Sequence, residues 1–340
     1  MGFFVFFIEN ILKTIISKVA KRMQFLYNNA MKILKKPALV LLSFLVFFLV
    51  ATFFYHRISL EKEKASLTPV GQTVLVNGHK INVYVEGDGP ETIVFLSGAG
   101  IASPILDFKN LTDSLSKKFK IVVVERAGYG YSEDSNQSRD VMQVLSETRQ
   151  ALSQANLSGP FIIISHSMAS LESLAWQEKY PDEVKALIGL DWALPSSYED
   201  LKINQALLTV AYWSSKIGLL RYFPEAFYIK NQTLTESERQ QYKLLAYKQL
   251  MSHAMLHESR IVKENAKKVP SSINLKIPTL LLVSNGEGTT FSQSEWQHYA
   301  ETFASDQSNV QVIYMDAPHE LYHYQSDAIV SRIKEFLENN

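Results

Sequence analysis

From residue 71 onward, short apolar runs alternate with stretches whose apolar residues recur at helical spacing. QTVLVNGHKINVYVEG (72–87) reads as two alternating strands joined at Asn77-Gly78, the strongest short hairpin signal. TIVFLSGAG (92–100), KIVVVERAGYGYSE (120–133), PFIIISHS (160–167), VKALIGLDWALP (184–195), PTLLLVSNGEGTT (278–290) and VQVIYMDAPHE (310–320) each open as a β-rich run and end in loop residues. Helical patterns fall between them, over 103–119, 139–155, 168–180 and the closing SDAIVSRIKEFLENN. Strands separated by helices need crossover connections, and strands apolar at nearly every position are buried on both sides. The pattern predicts an α/β fold: a mostly parallel sheet with helices on both faces, built from residues 71–195 and 278–340. Residues 196–277 break the rhythm, with several helical patterns and no strand. Inserted after the sixth strand, they are expected to form a helical lid over the carboxyl edge of the sheet, where α/β folds bind ligands.

The N-terminal pattern is different. Residues 1–36 carry seven Lys/Arg against Glu9 alone, and PALVLLSFLVFFLVATFFY (37–55) carries no charge. At ~1.5 Å per residue this run spans roughly 28 Å, enough for a hydrocarbon core. It ends in bulky aromatics rather than the small residues of a signal-peptidase site, so an uncleaved anchor is expected. The basic flank places the N-terminus in the cytoplasm and the large domain outside, with residues 56–70 as linker. Ile11, Leu12, Ile15, Ile16, Val19 and Met23 recur at helical spacing among lysines, the pattern of an amphipathic helix on the inner membrane face. MKILKK at Met31 also reads as a start of its own. Formal net charge is zero, so no electrostatic footprint for nucleic acid exists. The chain has no cysteine, which fits an extracytoplasmic protein that avoids disulfide chemistry.

Candidate chemistry concentrates in IIISHSMAS (162–170), where a buried strand gives way to a helix. A nucleophile on such a sharp turn needs small residues two before and two after it. Ser165 is preceded at that distance by Ile163 and Ser170 by Met168, whereas Ser167 has Ser165 and Ala169. Ser167 is therefore the candidate nucleophile. A serine hydroxyl needs a base. Of eight histidines, His319 follows the last strand at the edge toward which the turn points; His323 is the weaker option. His166 adjoins Ser167 but is directed away and reads as a packing residue. His253 and His257 lack the Glu and third ligand of zinc motifs. Asp191 and Glu287 both end strands and stay open as the acid that would hold His319. Ala99 and Met168 are the candidate backbone donors for an oxyanion, with Gly98 and Gly100 allowing close approach.

Together these segments resemble the α/β-hydrolase superfamily over roughly residues 71–340. SHSMAS is similar to its G-H-S-M-G-G elbow, LSGAG to its H-G-x-x-G oxyanion loop, ERAGYGYSE to its D-R-x-G-x-G-x-S segment and APHELYHYQ to its G-G-H segment. Ser165 and Ser170 stand where that elbow carries glycine, and Ser97 where the oxyanion loop carries histidine. The order Ser…acid…His fits that resemblance, and a serine nucleophile argues against the dehalogenase and epoxide-hydrolase branches, which use aspartate. The expectation is a membrane-anchored, extracytoplasmic serine hydrolase, carboxylesterase- or lipase-like. It would cleave a small-molecule acyl substrate, first of all a carboxylic ester, through an acyl-enzyme, without metal or organic cofactor. A non-catalytic sensing protein on the same fold, or an acyltransferase or peptidase, is the alternative.

Overall fold

The computed structural model describes residues 15–19, 21–23, 35–224, 231, 233–270, 273, 275–305 and 307–340. A long helix, α1 (Lys35–Lys64), precedes the hairpin β1 (Gln72–Val76) and β2 (His79–Glu86). Asn77 and Gly78 both take positive φ, 49° and 84°, which matches the twist of the paired strands. Next come β3 (Thr92–Leu96), α2 (Pro104–Asp107), α3 (Lys109–Leu115), β4 (Lys120–Glu125), α4 (Val141–Gln154), β5 (Phe161–His166), α5 (Ala169–Lys179) and β6 (Val184–Leu190). After the lid helices follow β7 (Thr279–Val283), α10 (Gln293–Ala304), β8 (Val310–Tyr314) and α11 (Ser326–Glu338).

The eight strands form one sheet in the order β1-β2-β4-β3-β5-β6-β7-β8. β1–β2 and β2–β4 pair antiparallel, and every other pair is parallel. The unbroken apolar runs have a direct explanation in the packing. In β4, Val122 and Val124 face one core while Ile121 and Val123 face the other; β3 alternates in the same way. Helices α4, α5 and α10 cover the first face, and α2, α3 and α11 the second. This is the α/β architecture expected from the pattern.

The helix expected over 103–119 is split at Phe108, which sits at φ −87°, ψ 1°. The break turns the Phe108 ring onto Phe95 and Tyr322, at centroid distances of 5.2 and 5.1 Å. It also points Asp107 at the Tyr322 hydroxyl, 2.5 Å away. Packing between distant elements overrides the local helical pattern here.

Between β6 and β7 lie α6 (Ser197–Asp200), α7 (Gln205–Ile217), a 3-10 turn (Leu219–Tyr222), α8 (Glu236–Gln249) and α9 (His253–Lys267), with no strand among the described residues. Thr235 and Glu238 form a capping box that starts α8, and Gly218 ends α7 at φ 87°. A buried ionic cluster ties the lid to the core. Glu258 of α9 accepts from Arg139 Nε at 3.1 Å and from the Tyr129 hydroxyl at 2.7 Å, and Arg126 lies 3.8 Å from it. Helix α1 is long and apolar enough to cross a membrane. Residues 15–19 and 21–23 are helical, but most of the N-terminal segment read as amphipathic lies outside the described residues.

Candidate active site

The site is built where β5, β6 and β7 end. At the end of β5 the chain turns sharply into α5, and Ser167 takes φ +52°, a conformation that non-glycine residues rarely adopt. The turn is held from both sides. Ser167 donates its N–H to Leu190 O at 3.2 Å, and its carbonyl accepts from Ala193 N–H at 3.2 Å. Strain of this kind persists only where the surroundings enforce it.

Ser167 Oγ lies 2.8 Å from His319 Nε2, and His319 Nδ1 lies 2.5 Å from Asp191 Oδ2. All three side chains are buried. The other Asp191 oxygen accepts from Ser284 N–H at 2.7 Å and from the Trp296 indole at 2.8 Å. A carboxylate can only accept, so His319 donates through Nδ1. That fixes the tautomer in which the Nε2 lone pair faces the Ser167 hydroxyl.

Of the two carboxylates left open by the sequence, only Asp191 reaches His319. Glu287 is exposed, between Gly286 and Gly288 at φ 83° and 88°, and its carboxylate takes no part. Its main chain does: Glu287 O accepts the His319 N–H at 2.8 Å. The glycine-flanked loop thus positions the His319 backbone while its acidic side chain points to solvent. His323 is likewise elsewhere, paired with Asp107 Oδ1 at 3.1 Å. Burial opposes its charge, but the Asp107 carboxylate outweighs it and holds the imidazole above its ordinary pKa.

The neighbouring serines are engaged. Ser165 Oγ accepts from Trp192 Nε1 at 2.8 Å and from Ser173 Oγ at 2.7 Å. Ser170 Oγ donates to Ala193 O at 2.5 Å. The two hydroxyls that replace elbow glycines are satisfied inside the core. His166 donates from Nε2 to His319 O at 3.1 Å, and its ring packs 4.7 Å from that of His319. Burial first, and the adjacent His319 second, push the His166 pKa well down, so it stays neutral.

Met168 follows Ser167 in this turn, and Ala99 follows Gly98, which packs against it; both are buried. Among the described residues, no hydrogen bond occupies either N–H. The loop that carries Ala99 is pinned by Arg126, whose Nη2 donates to Ser97 O at 2.9 Å and Gly98 O at 3.2 Å. Gly98 is required sterically: a Cβ there would lie 2.7 Å from His166 Nδ1 and 3.0 Å from Ser167 Cβ. Gly98→Ala should therefore displace the Ala99 N–H and lower kcat on the order of 10²-fold, the scale of one lost oxyanion donor, with a smaller change in KM. Steady-state kinetics on the folded variant checks this.

Ser167 and His319 open onto a recess with about 340 Å³ of empty space, part of it facing solvent. Tyr198 and Leu201 from the lid, Phe291 from the β7–α10 loop and Trp296 from α10 give it mostly apolar walls. Sequence reasoning missed the groups that orient the site: Trp296 and Ser284 on Asp191, and Arg126 on the Ser97–Gly98 carbonyls. Arg126 lies inside the quoted ERAGYGYSE segment, which was the available signal; Trp296 stands in a helix with no motif around it.

A model of the α/β-hydrolase fold family matches residues 91–309. The uncharacterized protein YbdG of Bacillus subtilis is 36% identical over 319 residues, covering 90% of this chain and 97% of that protein. The mouse serine hydrolase BPHL is 28% identical over 146 residues, covering 42% of this chain and 50% of its own length. A solved epoxide hydrolase from Bacillus megaterium superposes with a TM-score of 0.60 at 19% identity, covering 78% of this chain and all of that one. At that identity it speaks for the fold alone. Sheet order and family match agree, and the chain belongs to the α/β-hydrolase fold family.

Proposed function

We propose that this protein is a serine hydrolase that cleaves a carboxylic ester through an acyl-enzyme intermediate. The observation that carries the reading is the buried line Ser167–His319–Asp191, with contacts of 2.8 and 2.5 Å and the serine on a strained turn. Ser167 Oγ attacks the acyl carbon as His319 Nε2 takes the hydroxyl proton. Asp191 holds the imidazole and stabilises the imidazolium that forms. The carbonyl oxygen becomes an oxyanion that the Ala99 and Met168 N–H groups receive. Collapse of the tetrahedral intermediate breaks the bond to the alcohol, which takes the proton from His319. Water then repeats the sequence on the acyl-enzyme, releasing the acid and restoring Ser167. None of these steps draws on a metal or organic cofactor.

The serine at the elbow separates this chain from Asp-nucleophile epoxide hydrolases of similar fold. The apolar recess favours an apolar acyl or aryl group. Helix α1, with its basic flank, supports a single-pass anchor that leaves the N-terminus in the cytoplasm and the hydrolase domain outside. Rapid mixing with p-nitrophenyl esters of increasing chain length tests the reading. The expected trace is a burst of nitrophenol stoichiometric with enzyme, followed by slower turnover, since acyl-enzyme accumulates. Product formed only when an acceptor alcohol is supplied would indicate an acyltransferase instead. Absence of any product with all esters would overturn hydrolysis of this class.

A further inference from the structure

The lid touches α1 at a depth that the anchor reading places inside the bilayer. The uncharged run of α1 extends only from Pro37 to Tyr55, with Lys35 and Lys36 before it and His56 and Arg57 after. Its roughly 28 Å just matches a hydrocarbon core of about 30 Å. No slack remains to slide the helix outward, so Tyr55 lies near the outer boundary.

Phe48 and Thr52 lie below that boundary, by roughly 10 and 5 Å along the helix. Both touch the lid. The Tyr222 ring packs on Phe48 at 5.7 Å, and its hydroxyl is 3.1 Å from Thr52 Oγ1, which is buried. The contact is fixed, not grazing. Arg221 makes a bidentate pair with Glu63, both bonds 2.7 Å, and its Nε donates to His56 Nδ1 at 2.8 Å. Gly218 lies so close to His56 that a Cβ would clash with its side chain. Thr52, His56 and Glu63 are ligatured to one lid segment over three turns of α1.

The outward face of α7 is unusual for a surface helix. Its exposed positions are Gln205, Ala206, Val210 and Trp213, and its one charged residue, Lys216, is half-buried with Nζ 5.3 Å from the Tyr212 ring. Trp213 is 57% exposed and Tyr222 49%. Ala206, Val210 and Trp213 recur at i, i+4 and i+7, an apolar stripe on the side away from the core. Helix α1 packs against α7, and the apolar residues of α1 from Leu39 to Phe54 are largely exposed as well. Trp and Tyr are the side chains that suit the water–lipid boundary, with an apolar body and a polar tip.

We infer that the outer face of α7 and the Leu219–Tyr222 turn are seated in the outer leaflet of the bilayer that holds α1, so that the lid is a membrane-docked element. This rests on the reading of α1 as a membrane anchor. The partner is the lipid surface itself: an apolar boundary beside the helix, fitted by Val210, Trp213 and Tyr222.

Tryptophan fluorescence of the full chain in phosphatidylcholine vesicles tests it. The other three tryptophans, Trp176, Trp192 and Trp296, are buried in the globular core. Vesicles brominated at shallow acyl positions should quench part of the emission, more than those brominated deep in the chain. Trp213→Phe, a mild change at an exposed position, should abolish the bromine-dependent part. Flotation after alkaline carbonate washing reports the anchor independently. Protein that floats, yet whose Trp213 is quenched by aqueous acrylamide and not by brominated lipid, would overturn the docking and leave the anchor standing. Trp213 shielded from both quenchers would mean that a second copy covers the face, which also overturns it. Protein stripped from the vesicles would overturn the anchor reading and this inference together.

Discussion

Ser167→Ala should lower turnover by about 10⁶-fold while leaving the fold intact. Among the described residues the serine hydroxyl hydrogen-bonds to His319 Nε2, and it lies on a turn held by main-chain bonds to Leu190 and Ala193. Alanine keeps those bonds and the small volume, so thermal unfolding should shift little. On the proposed mechanism, what is lost is the atom that forms the acyl bond, and neither neighbouring serine is free to replace it. Ser165 Oγ is engaged by Trp192 and Ser173, and Ser170 Oγ by Ala193 O. Ser165→Ala and Ser170→Ala should therefore retain measurable turnover, with their effects confined to packing. Parallel ester kinetics on the three variants checks this. Substantial activity in Ser167→Ala would assign the chemistry elsewhere.

The second large effect belongs to Asp191. Asp191→Asn should cost about 10⁴-fold in turnover, and Glu287→Gln should stay within about twofold. The difference lies in the partners of each oxygen. Ser284 N–H and the Trp296 indole both donate to Oδ1. A substituted amide must keep its oxygen there and turn its NH₂ toward His319 Nδ1. The imidazole is then driven to the other tautomer, with its proton on Nε2, where it cannot accept from Ser167. Glu287 touches the site only through its carbonyl, which Gln preserves. Equal losses in both variants would mean that Asp191 does not hold the base.

The strands were readable because burial on two faces leaves a run apolar at every position, as in Ile121–Val124. The Asn77-Gly78 hairpin was readable because few residues tolerate two positive φ values in succession. Sterics, together with the buried strand before and the helix after, single out Ser167 over Ser165 and Ser170 as the candidate, since such an elbow crowds its flanking positions. The acid could not be chosen. Asp191 and Glu287 both follow strands, and their difference is which way each loop turns its side chain, set by Trp296 and Ser284 from other parts of the chain. The break at Phe108 was hidden for the same reason: its causes, Phe95 and Tyr322, are remote. The docking of the lid on α1 was furthest from view, because Arg221 and Glu63 are 158 residues apart. Local sequence shows what a residue is suited to; which distant partner it meets is decided by packing.

Ser167 as a nucleophile activated by His319 is the step on which the proposed hydrolysis depends. Its most direct measurement is intact-protein and peptide mass spectrometry after exposure to a fluorophosphonate. One adduct per chain is expected, on Ser167, with Ser167→Ala unlabelled and Asp191→Asn labelled far more slowly. No adduct on the folded protein, or an adduct that persists in Ser167→Ala, would contradict it.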